Sequence, residues 1–113
     1  MHLKNFSLMH TDDGILLSPA YDLLNVNLVF PKDVEDLALS LSGRKKKITK
    51  NDFDQFALSL NIDHKVKENI FKKFSLQFER VVALIKTSFL PEEQQENYIQ
   101  IVTKKFKQIG LGA

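Results

Sequence analysis

The stretch "DHKVKENIFKKFSLQFERVVALIKTSF", residues 63–89, decides the fold class. Val66, Ile70, Phe74, Phe78, Val81, Val82, Ile85 and Phe89 recur along it at steps of three and four, the spacing of one face of an α-helix. Asp63 stands where an N-cap belongs. The pattern predicts one continuous helix, the longest of the chain and the spine of its core.

Two further helices flank it. On the N-terminal side, Thr49 with Asp52 three residues on has the form of a capping box, and Phe53, Phe56, Ala57 and Leu60 follow on one face. On the C-terminal side, Pro91 suits a first helical position, Glu92 and Glu93 suit the positive end of a helix dipole, and Lys104, Lys105 and Lys107 suit its negative end before Gly110. Tyr98, Ile101 or Val102, Phe106 and Ile109 form the stripe to be buried. The expectation is a mainly α domain with its helical core over 49–110.

The N-terminal quarter reads differently. "FSLM" at 6–9 alternates apolar and polar residues, "HTDDG" supplies turn chemistry, and "ILLSP" returns as a second apolar run, which together predict a short β-hairpin. Pro19 ends the second strand because it cannot donate a ladder hydrogen bond. "AYDLLN" then forms a loop entering a helical turn, leaving Asp22 just past a strand end. Residues 26–48, broken by Pro31 and carrying a Gly before "RKKK", read as irregular with room for one short strand.

At 113 residues, 43% of them hydrophobic with nine Phe and no Trp, the chain has the size and apolar content of a single globular domain. The formal charge of +2 is slight and comes largely from "GRKKK" at 43–47, so composition does not argue for nucleic acid. Direct nucleic-acid binding through Arg44–Lys47 with Lys50 is a third, weaker expectation. Cysteine is absent, which removes disulfides, thiolate metal sites and cysteine nucleophiles and suits a reducing, cytoplasmic setting. His2, His10 and His64 lack the paired spacing of a zinc site. No apolar run nears the roughly 20 residues that span a bilayer.

"HLKNFSL" at 2–8 and "LSPAYDLLN" at 17–25 resemble the catalytic segment of HipA-like serine/threonine kinases, whose pattern is roughly Asp-x-His-x-Lys-Asn-Phe-Ser, a hairpin, then Pro-x-Tyr-Asp. The likeness continues through "LALSLSGRKKKITKNDFDQFALSLNI" and "IKTSF". It implies the helical C-terminal lobe of a kinase, with Mg²⁺ and ATP as cofactors of the complete enzyme and a toxin–antitoxin role. Asn5 and Asp22 match the family's two metal ligands, and oxygen donors are what a hard cation prefers. His2 and Lys4 match positions near the transferred phosphate. From spacing alone, Asn5 and Asp22 are equally readable as turn formers making local hydrogen bonds.

The kinase catalytic loop sets its base Asp five residues before the metal-binding Asn, which falls immediately before Met1. The Gly-rich phosphate loop and the strand Lys are not in these residues either. The expectation is a fragment of a kinase lobe, with 1–25 a remnant of its catalytic and metal-binding segments. It would be inactive alone and hold no cofactor tightly. The rival expectation is a non-catalytic helical module that binds an antitoxin-like protein or a separate kinase half.

Overall fold

The computed structural model describes residues 2–111. A 3₁₀ turn at Leu3–Asn5 leads into an antiparallel hairpin of β1, Leu8–Thr11, and β2, Gly14–Leu17. A single-turn helix follows, α1 (Val26–Val29), and then α2 (Lys50–Ser59), α3 (His64–Ser75), α4 (Phe78–Lys86) and α5 (Glu92–Gln108). The mainly helical class with an N-terminal hairpin is what the sequence predicts. Between α1 and α2 the chain is irregular, with one isolated bridge between Leu41 and Arg44 where a short strand had room to form.

The spine is not one helix. It breaks at Leu76 and Gln77, and the longest helix is α5. At the break the Ser75 hydroxyl donates to the Lys72 carbonyl, and the Leu76 and Gln77 amides also donate backward, closing α3 in a tight turn. The physical gain is in packing: α3 rests on α2 and α4 rests on α5, two directions that a straight rod cannot serve together.

The break also changes which face of α3 is covered. Phe71 meets Phe53 edge-on at 6.1 Å, and Lys67 lies beneath, paired with Asp54 at 2.6 Å. Val66, Ile70 and Phe74, expected in the core, are exposed. In α2, Ala57 is buried and Phe53 half-buried while Phe56 and Leu60 stay exposed. The α5 stripe is half-buried as expected, with Phe106 meeting Phe78 at 5.2 Å.

Local capping follows the sequence closely. The Asp52 carboxylate accepts the Thr49 amide at 2.8 Å, and Asp63 accepts the Lys65 amide at 2.8 Å. Pro91 is the N-cap of α5 and not its first turn. Gly110, at φ +72°, closes α5 in a left-handed cap in which the Leu111 amide returns to the Phe106 carbonyl.

The basic turn is a connector. Arg44 pairs with the buried Asp52, and the Lys45 carbonyl accepts the amides of Asp36 and Leu37. Asp36 in turn accepts from Lys105, from Gln108 at 2.8 Å and from the Ile48 amide at 3.1 Å, tying the irregular segment to α5 and the entry of α2. Burial pushes the Asp36 carboxyl up, but the hydrogen bonds from Lys105, Ile48 and Gln108 outweigh it and hold the pKa below the usual carboxylate range. The Thr49 amide first, and Arg44 after it, lower Asp52 as well; the hydrogen bond from Lys67 lowers Asp54.

All three carboxyls bind their proton more weakly in the folded chain than in the unfolded one. Their contribution to stability is therefore complete above the unfolded carboxylate pKa of about 4, and it drains away as pH falls from there through the lower folded values. Asp36→Asn should cost about 2 kcal/mol at neutral pH, from the loss of charged hydrogen bonds to three donors. It should cost progressively less as the medium is acidified toward pH 3. Urea melts at a series of pH values check this; a cost independent of pH would remove Asp36 from the acid response.

The core is thin. Among the described residues only Ile48, Ala57, Ile85 and Leu111 are buried apolar side chains. The accessible surface is 9091 Å², against about 6,300 Å² for a compact monomer of this mass. The radius of gyration is 16.0 Å where about 13 Å is usual.

Candidate metal and phosphate-facing site

The hairpin joins the two ends of the candidate site. Its ladder pairs Leu8 with Leu17, and Ser7 and Ser18 continue it: the Ser18 amide donates to the Ser7 carbonyl at 2.7 Å, and the Ser7 amide donates to the Ser18 hydroxyl at 2.8 Å. Asn5 and Tyr21 are thereby set side by side. The Tyr21 amide donates to the Asn5 carbonyl at 3.0 Å, and the Asn5 side-chain amide donates to the Tyr21 carbonyl at 2.7 Å and more weakly to that of Asp22 at 3.4 Å. The Tyr21 and Ser7 hydroxyls share a hydrogen bond of 2.6 Å.

Asn5 and Asp22, seventeen residues apart in sequence, are thus neighbours in space. Asn5 is half-buried and Asp22 exposed. Asp22 takes φ +53°, a left-handed conformation that costs a residue with a Cβ about 1 kcal/mol and that Asp tolerates better than most. Ser42, Lys47 and Asn61 share this conformation, so by itself it does not single out Asp22. Among the described residues the Asp22 carboxylate makes no hydrogen bond or ion pair.

His2 and Lys4 lie on the 3₁₀ turn. The His2 amide donates to Asn5 Oδ1 at 2.9 Å, and the Asn5 amide donates to the His2 carbonyl at 3.0 Å, so His2 is held to Asn5 through its backbone. Its side chain is exposed and borders a cavity of about 470 Å³ shared with Asn25, Asp36 and Ile101. Lys4 is exposed and forms no ion pair among the described residues.

The donor set suits a small hard cation. Asn5 Oδ1 has spent one lone pair on His2 and keeps another, and Asp22 offers both carboxylate oxygens. Magnesium is commonly held by one or two protein oxygens, with water and phosphate completing its octahedron. No group of three His, Cys, Asp or Glu residues among those described could hold a metal by itself. His10, at the hairpin, and His64, opening α3, stand apart from this site.

Ser7 and Tyr21 fall on the Ser and Tyr of the family pattern, but the sequence assigns them no role. Their hydroxyls clamp the base of the hairpin, and the signal for them was their presence in that pattern, Ser7 two residues after Asn5 and Tyr21 immediately before Asp22.

A two-stranded ribbon whose ends bring Asn5 against the backbone of Tyr21 and Asp22, followed by packed helices, defines a mainly helical domain with an N-terminal hairpin. The HipA-like C-terminal domain model matches residues 1–102, and the chain belongs to that family. A search of curated proteins finds no match.

Proposed function

We propose that this chain supplies the magnesium-holding part of an ATP-dependent serine/threonine kinase of the HipA-like, toxin–antitoxin kind. Asn5 Oδ1 and the Asp22 carboxylate would hold the cation that bridges the ATP phosphates. Lys4 would set positive charge beside the transferred phosphate, and His2 would order the turn through its contact with Asn5. Bound Mg²⁺ would supply charge neutralisation as the phosphoryl group moves. The base Asp and the nucleotide cradle would come from residues other than these 113, and without them the chain would be inactive and hold ATP weakly.

The observation supporting this reading is the direct hydrogen-bonded junction of Asn5 with Tyr21 and Asp22. The Asp22 carboxylate bonds nothing among the described residues, which leaves both its oxygens open to a cation. Titration with Mn²⁺, a paramagnetic stand-in for magnesium, should broaden amide resonances of 2–6 and 21–23 first, and Asp22→Ala should remove that selectivity. Broadening spread evenly over all acidic residues would remove the metal assignment.

A second reading, that of an interaction module, has its own support. Leu8, Ile15, Leu16 and Leu17 leave both faces of the hairpin apolar and exposed, which an isolated ribbon does not sustain. The partner in this reading is a protein body, an antitoxin-like regulator or the remaining kinase half. The two readings are compatible, since covering the hairpin would also complete the site.

A further inference from the structure

Away from the hairpin strands, two features of the helical part fit each other. Between α3, α4 and the end of α5 lies an open cavity of about 800 Å³. Phe71, Phe78 and Phe106 line its apolar part, and Lys72 and Lys107 stand on its rim with no ion pair among the described residues. Lys50 and Glu68, also on the rim, neutralise each other at 3.3 Å, leaving Glu79 as the remaining acid. The rim is net positive.

The complementary feature is the α4–α5 turn. Phe89 is 108% exposed, the most exposed large apolar side chain of the described residues. An aromatic side chain held wholly in water between two well-formed helices gains nothing from its own fold. Around it, residues 86–96 carry Lys86 against Glu92, Glu93 and Glu96, a net charge of −2. None of the three glutamates is ion-paired among the described residues.

We propose that the chain associates with a second copy of itself, the Phe89 turn of one molecule seating in the α3–α4–α5 cavity of the other. Phe89 would add an edge to the T-shaped pair of Phe78 and Phe106, a geometry aromatic rings favour. Glu92 and Glu93 would meet Lys72 and Lys107 at the rim. An exposed aromatic anchor entering an apolar pocket inside a charged rim is the arrangement in which interface energy concentrates. This contact does not use the hairpin and is independent of the kinase reading.

Sedimentation velocity on the full 113-residue chain over a range of concentrations tests it. The unmodified chain should associate reversibly. Phe89→Ala should weaken association at least about tenfold, and Lys72→Glu with Lys107→Glu should do the same. Each variant keeps one working half, so mixing the two should restore association that neither shows alone. Circular dichroism should show both variants folded, because Phe89, Lys72 and Lys107 are all exposed. A chain that stays monomeric at every concentration overturns the proposal, as does association that survives both variants or a mixture that stays monomeric.

Discussion

Asn5→Ala, and separately Asp22→Ala, should each lower phosphoryl transfer by at least about a hundredfold in a kinase assembled around this chain. The assembly joins it to a HipA-like nucleotide-binding lobe that ends in the catalytic Asp. The size follows from what the two oxygens would do. Phosphoryl transfer is catalysed almost wholly by positioning and charge neutralisation, so a displaced metal removes the main source of rate. Loss even of groups that only orient metal ligands costs ten- to a hundredfold. A structural role alone would also depress activity, so the metal dependence is the deciding measurement. Raising the Mg²⁺ concentration should partly rescue Asp22→Asn, which keeps one oxygen, and should not rescue Asp22→Ala. Tyr21→Phe, which loses only the hydroxyl bond to Ser7, should keep most of the activity. An active assembly indifferent to Asn5→Ala and Asp22→Ala would remove the site assignment while leaving the family membership intact.

What the sequence made legible was local. The hairpin turn, the Thr49 and Asp63 caps and the close of α5 at Gly110 each depend on residues within four positions of one another, and each formed as expected. The choice of buried face in α3 depends on where α2 lies, and periodicity carries no information about that. Val66, Ile70 and Phe74 keep perfect helical spacing and yet face water, while Phe71 and Lys67 face α2. The break at Leu76 and Gln77 leaves no mark in the pattern for the same reason. Neither residue is a helix breaker, and the tight turn there is imposed by two packing partners lying in different directions. At the candidate site the residue types and their seventeen-residue separation were legible through the family pattern. The junction through Tyr21 and the left-handed Asp22 were not, because both arise from the hairpin register.

Ile85→Ala should cost about 3 kcal/mol of folding stability, the middle of the range for removing a buried large aliphatic side chain. Ile85 is 5% exposed on the face of α4 that meets α5. In a core with only four buried apolar side chains among the described residues there is little else to close the gap it would leave. Domains are stable by about 5–15 kcal/mol, and one with so thin a core belongs near the lower limit, so this substitution should leave a measurable unfolded fraction at ambient temperature. Phe74→Ala removes a larger side chain from the original helical stripe but from a position 59% exposed, and it should cost no more than about 0.5 kcal/mol. The pair separates the two arrangements of the helices directly. A straight helix from 63 to 89 with one buried stripe makes Phe74 the costlier loss, whereas the broken helix makes Ile85 costlier by several-fold. Urea unfolding followed by circular dichroism gives both values. Comparable costs for the two would place Phe74 back in the core and undo the α3 and α4 packing described above.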